Sequence, residues 1–141
     1  MNKLTENPRE PFNRLFDQFN DMFARTAALE GFIFDPRSGP NISRALRRDE
    51  GRLKRGVFLE IKKHWMESDP FDPDVTLTYG VWLLPEQDKL PFYLLVKTFF
   101  EGNLRGISNI EKTLNLAAIE VKAVSEEMVI KNGKLLKDSP V

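Results

Sequence analysis

Phe12, Leu15, Phe16, Phe19, Met22 and Phe23 recur three and four residues apart, the spacing of one face of an α-helix, and predict an amphipathic helix over residues 8–30. Asn7 and Pro8 suit its cap and first position, Glu10 completes a loose capping box with Asn7, and Gly31 is a suitable C′ stop. Residues 31–36 read as a short strand, and residues 35–41 as a loop dense in Pro, Gly, Ser and Asn.

From Ile42 the period changes to two. Ile42, Arg44, Leu46 and Arg48 share one face of a first strand, and Leu53, Arg55, Val57, Leu59, Ile61, Lys63 and Trp65 share a face of a second. Asp49-Glu50-Gly51-Arg52 between them predicts a hairpin turn, with Gly51 supplying positive φ. A second Pro- and Asp-rich loop, residues 69–74, precedes the clearest strand of the chain, in which Val75, Leu77, Tyr79, Val81 and Leu83 alternate with Thr76, Thr78, Gly80, Trp82 and Leu84. Residues 85–89 break it. Residues 92–100 are nearly continuous in apolar side chains, which predicts a buried central strand, with a helix as the alternative.

Residues 102–106 read as a flexible connector, and Ser108-Asn-Ile-Glu111 as a capping box opening a second helix on Ile110, Leu114, Ala117, Val121 and Val124. Its end is left open, because residues 119–124 also alternate as a strand would. Asn132-Gly133 between the apolar stretches 128–131 and 134–137 predicts a closing hairpin.

These elements describe an α+β fold: an antiparallel sheet of about four to six strands, with the N-terminal helix and a second helix near the C-terminus packed on one face. The connections from residue 42 to residue 100 are too short for crossover helices, so neighbouring strands should be antiparallel. With 141 residues one domain is expected over 1–141, with 1–7 and 138–141 flexible. Phe12, Phe16, Phe19, Phe23, Val75, Leu77, Tyr79, Val81, Leu94 and Val96 are expected in its core.

The absence of cysteine excludes a disulfide framework, thiolate catalysis and cysteine-ligated zinc or iron–sulfur centres, and favours the reducing cytoplasm. No leader-like apolar stretch precedes Phe12, and the longest apolar run, residues 90–100, is about half the ~20 residues of a membrane-spanning helix. A soluble, cytoplasmic protein is expected.

Motifs for chemistry are sparse. His64 is the single histidine, which forbids a multi-histidine metal site; at a strand end it reads as a polar surface residue, although Glu60 on the same face could orient it. Asp69, Asp72 and Asp74 lack the central glycine and distant glutamate of a calcium loop, and Pro70 and Pro73 stiffen the backbone, so a solvated Asx turn is expected there. The glycines fit neither phosphate-binding nor dinucleotide-binding spacing, and no Gly-x-Ser-x-Gly occurs. No metal, cofactor or catalytic constellation is read from the chain, and an enzyme is not favoured.

Charge adds one feature. The 21 basic and 21 acidic residues cancel overall, yet residues 41–66 hold eight basic and three acidic residues. Arg44, Arg47, Arg48, Arg52, Lys54 and Arg55, with His64 and Trp65 beyond them, are therefore the candidate binding residues. Alternation puts Arg44 and Arg48 on one face and Arg47 on the other, and a charged sheet edge guarded against aggregation explains the segment equally well. Three readings follow: a small non-enzymatic interaction, inhibitor or immunity-type protein with an acidic protein partner; a nucleic-acid module stacking bases on Trp65, Tyr79 or Trp82; and a ligand-binding protein or enzyme without recognisable motif.

Overall fold

A computed structural model describes residues 10–35, 44–62, 67, 69–84, 92–106 and 109–136. The elements run α1 (Glu10–Glu30), β1 (Ile33–Asp35), β2 (Arg44–Glu50), β3 (Leu53–Ile61), β4 (Asp74–Leu83), β5 (Phe92–Asn103), a 3₁₀ turn (Leu104–Gly106), α2 (Ile110–Lys122), α3 (Glu126–Asn132) and β6 (Lys134–Leu136). The strands form one sheet in the order β1-β2-β3-β4-β5-β6, every neighbouring pair antiparallel. The α+β class and the one-sided arrangement of helices are as the pattern predicts. The proposed cap at Asn7 and Pro8, the flexible ends 1–7 and 138–141, and the loop at residues 36–41 lie outside the described residues.

α1 buries its whole predicted stripe: Phe12, Leu15, Phe16, Phe19, Met22 and Phe23 all belong to the core. It stops at a left-handed glycine, Gly31 at φ 75°, where Gly31 and Phe32 both donate their backbone N–H to the Ala27 carbonyl, at 2.9 Å each. Phe32 is buried beside that turn, which fixes the direction in which β1 leaves. Gly51 turns the β2–β3 hairpin at φ 65°. Opposite α1, the strands contribute Leu46, Val57, Leu59, Ile61, Val75, Leu77, Tyr79, Val81 and Leu83 to the same core, and α2 adds Leu114, Ala117, Ala118 and Val121.

Four expectations are corrected. β5 is a strand, but no central buried one: β6 pairs only with Phe92–Leu94, so the outer edge of β5 beyond Leu94 has no strand neighbour among the described residues. The register against β4 carries Val96 to the face away from the helices, where it is 58% exposed, and Leu94 to the same face, half-buried. Secondly, residues 128–131 are helical. Ser125 caps α3, its Oγ accepting from the Met128 N–H at 3.2 Å, so Asn132-Gly133 closes a helix instead of turning a hairpin. A Cβ on Gly133 would lie 2.4 Å from the Val129 carbonyl oxygen and 2.7 Å from that of Leu94, which explains the glycine by close approach.

Thirdly, α2 is capped by Asn109, whose side chain accepts from the Lys112 N–H at 3.0 Å; the proposed cap Ser108 lies outside the described residues. Lastly, the 102–106 connector is held in place. Leu104 donates to the Pro73 carbonyl at 2.9 Å, and the Asp72 carboxylate accepts from the Arg105 N–H at 2.9 Å and from Asn103 at 3.2 Å. Asp69 accepts from the Phe71 N–H at 2.9 Å, an Asx turn.

Phe19 lies 3% exposed between α1 and the sheet. Phe19→Ala should lower unfolding free energy by about 3–5 kcal/mol, read as a reduced midpoint of urea unfolding at unchanged slope.

Candidate functional site

Alternation divides each strand between a face covered by helices and an open face on which no described element packs. The basic segment 44–55 is split between them, and its residues do different things. Arg44 and Arg55, each 6% exposed, lie on the covered face. The Arg44 guanidinium sits 5.5 Å from the centre of the Phe16 ring and donates through Nε to Asn20 Oδ1 at 2.5 Å. Burial lowers its pKa from the usual guanidinium value, partly offset by Asp17. Arg55 donates through one terminal nitrogen to the carbonyls of Val121 and Val124, at 3.1 and 2.9 Å, and through the other to Glu50 at 3.3 Å. It thus places a cation against the C-terminal end of α2, where orphan carbonyls and the helix dipole favour one.

The remaining four are surface groups with partners of their own. Arg48 donates to Glu50 at 2.5 Å and to the Gly31 carbonyl at 2.8 Å, and Arg52 donates to the Leu84 carbonyl at 2.8 Å. On the open face Arg47 pairs with Asp35 at 3.2 Å and Lys54 with Asp49 at 3.9 Å. The structure therefore does not gather the six cations into one patch. His64 and Trp65 lie outside the described residues.

A second polar cluster ties the same end of α2 to the neighbouring strands β4 and β5. Glu120 Oε2 accepts from the Tyr79 hydroxyl and from Lys97 Nζ, both at 2.7 Å. Burial first, then the bond to Glu120, pushes the Tyr79 phenol above the ordinary tyrosine range, while Lys97 and then Tyr79 hold Glu120 below the usual carboxylate value. A phenol this reluctant to ionise is a poor acid or base at neutral pH, so the cluster acts as a clamp. Tyr79 is buried on the covered face, which removes it as a stacking platform.

The open face holds what the charge pattern did not reveal. Gly56 on β3 and Gly80 on β4 are a cross-strand pair. The Phe58 ring lies back over Gly56 and the Trp82 ring over Gly80, so that a Cβ would meet them at 2.5 and 2.9 Å. The rings meet edge to face, centroids 6.0 Å apart and planes at 87°, and both are half-buried. A shallow depression of about 340 Å³ lies on one side, lined by Arg47, Asp49, Lys54, Phe58, Trp82 and Leu84. Another of about 530 Å³ lies on the other, lined by Phe58, Glu60, Lys62, Thr76 and Thr78. A usable signal was present in the sequence: Gly-x-Phe at 56–58 and Gly-x-Trp at 80–82, the same glycine-aromatic step in two neighbouring strands.

Among the described residues no three His, Asp or Glu side chains come together as a metal site would require, and no helix is long and apolar enough to cross a membrane. No family model, no curated protein and no solved structure matches the chain.

Arg55→Ala should destabilise the fold by about 3 kcal/mol, because two helix-end carbonyls and Glu50 lose a buried charged donor; Arg47→Ala should change it by less than ~1 kcal/mol. The comparison is made by denaturant unfolding. Tyr79 gives a pH dependence of known sign. Its folded pKa is raised, so the native state retains a proton that the unfolded chain loses, and stability falls as pH rises through the ordinary tyrosine value of 10.0 and above. Tyr79→Phe should flatten that alkaline loss in melting curves taken against pH.

Proposed function

We propose that this protein is a small non-enzymatic interaction protein that holds a protein partner against the open face of its sheet. The observation that carries the reading is the half-buried Phe58–Trp82 pair laid over the Gly56–Gly80 step. Large aromatic rings fixed by their own backbone lose little rotamer freedom on binding, which suits them as anchors of an interface. Their surroundings favour a protein over a nucleic acid. Arg47, Lys54 and Lys62 pair with Asp35, Asp49 and Glu101, so phosphates would compete with carboxylates already in place. Mixed, paired charge around an apolar centre is the usual composition of a protein interface. An acidic partner segment would meet the end of the face bearing Arg47, Arg52 and Lys54. The cysteine-free composition supports work in the reducing cytoplasm.

The test is affinity capture from the native host with wild type, Phe58→Ala/Trp82→Ala and Lys112→Glu, the last on an exposed site of α2. A partner captured by wild type and by Lys112→Glu should bind the double variant at least ~30-fold more weakly, while circular dichroism stays unchanged. Undiminished binding by a folded double variant refutes the reading. So does purified wild type binding a single-stranded oligonucleotide with log affinity falling linearly in log salt.

A further inference from the structure

The strand register arranges the open face in rows running across the sheet. Ile33, Arg47, Gly56, Gly80 and Val96 make one row. The row beyond it toward the β2–β3 turn is Asp49, Lys54, Trp82, Leu94 and Lys134; the row on the opposite side is Asp35, Ala45, Phe58, Thr78 and Thr98. Further from the turn come Glu60, Thr76 and Glu101, then Lys62 beside Asp74 and Asn103. Charge is segregated along the strands. Among the described residues the turn-side end carries Arg47, Arg52, Lys54 and Lys134 against Asp49, and the far end carries Asp35, Glu60, Asp74 and Glu101 against Lys62. Between them lies the apolar centre, with Phe58 and Trp82 half-buried and Ile33 and Val96 68% and 58% exposed.

A face that is basic at one end, acidic at the other and apolar between them is complementary to its own rotated copy. We propose that the open face packs on the same face of a second copy of this chain, about a two-fold axis lying in the interface along the rows, between the Arg47 row and the Phe58 row. That rotation keeps each strand over its counterpart and reverses its direction. On β3 it sets Lys54 opposite Glu60 of the partner subunit and Phe58 opposite Gly56 of the partner subunit. On β4 it sets Trp82 opposite Thr76 of the partner subunit. Sheet twist makes the match closest at β3 and β4, where the aromatic rings stand. The pair flanking β3, Arg52 and Lys62, is alike in sign, but Arg52 is engaged by the Leu84 carbonyl and Lys62 by Glu101 at 2.5 Å. The formal charge of zero adds no net repulsion between copies. The inference rests on the reading of this face as a docking surface and assigns it a self-paired state, from which a foreign partner must displace the second copy.

Sedimentation equilibrium of the full chain tests it. Wild type should associate to a dimer with increasing concentration, and Phe58→Ala/Trp82→Ala should remain monomeric. Lys54→Glu and Glu60→Lys, each placing two like-charged contacts in a symmetric dimer, should each weaken association by about tenfold or more. An equimolar mixture of these two variants should recover dimerisation, because both contacts in the mixed pair are of opposite sign; a folding defect in either variant would not be repaired by mixing. Monomeric wild type at every concentration, or a mixture no better than its components, overturns the inference. If wild type is monomeric and Phe58→Ala/Trp82→Ala still loses the captured partner, self-pairing falls and the docking reading stands. If that variant keeps the partner, both fall.

Discussion

The Arg55 guanidinium is the contact on which the two layers depend. A charge buried between a sheet and a helix costs several kcal/mol of desolvation unless polar groups meet it, and here the carbonyls of Val121 in α2 and Val124 just beyond it, with the Glu50 carboxylate, do so. Its Nε has no partner among the described residues, so the compensation is partial. The stabilisation of the fold comes mainly from the apolar interface, since α1, the strands and α2 share one continuous core. What Arg55 adds is registry: it fixes where the end of α2 lies along β3. Once that end is fixed, Glu120 falls within reach of Tyr79 and Lys97. Near the N-terminal end of α2, Glu111 receives both arms of Arg25, at 2.9 and 2.6 Å, and Asn115 meets the buried Thr26 hydroxyl. Polar contacts at both ends of α2 thereby commit the helices to one side of the sheet.

Periodicity made most of this architecture readable. The Phe stripe of α1 and the alternation in β2, β3 and β4 each follow from burial on one side only, and Gly51 and Gly31 marked the turns where positive φ is needed. The sequence misled where two physical causes share one signature. An apolar run such as 92–100 arises in a buried parallel strand, but also in a strand with helices on one side and an apolar open face on the other, and only pairing tells them apart. Asn-Gly ends a helix as readily as it turns a hairpin, and here the competing signal was Ser125, capping a helix three residues earlier than a strand reading allows.

The candidate site was less legible, for a reason that lies in the arginines themselves. Composition counts Arg44 and Arg55 as surface charge, whereas alternation already placed them in line with Leu46 and with Val57 and Leu59. Residues on that side of their strands face the helices. A long stem and a planar, weakly hydrated head let arginine be buried wherever carbonyls or an aromatic ring receive it, so a basic run can serve the interior. Phe58 escapes notice, and Trp82 reads only as a base-stacking platform, for the opposite reason. Aromatic residues in strands are normally assigned to the core, and only the glycines two positions before them mark rings folded flat over bare backbone on the outer side.

That arrangement explains why the open face can remain open. Gly56 and Gly80 leave a strip of backbone in the middle of the sheet without side-chain cover, and such a strip weakens strand pairing unless something shields its hydrogen bonds. Phe58 and Trp82 shield it from within, so the fold needs no further layer there. The shielding leaves ring surface facing outward, framed by the ion pairs Arg47–Asp35, Lys54–Asp49 and Lys62–Glu101, with cations in excess toward the β2–β3 turn and carboxylates in excess toward the far end. A face required only for solubility would intersperse the two signs, because interspersed charge avoids a directional field. Segregation along the strand axis instead gives the face an orientation, and an oriented face discriminates between a partner docked one way and the same partner docked in reverse. The stability of the sheet therefore demands the rings, while the sorting of the charges around them is what the proposed docking on this face draws on.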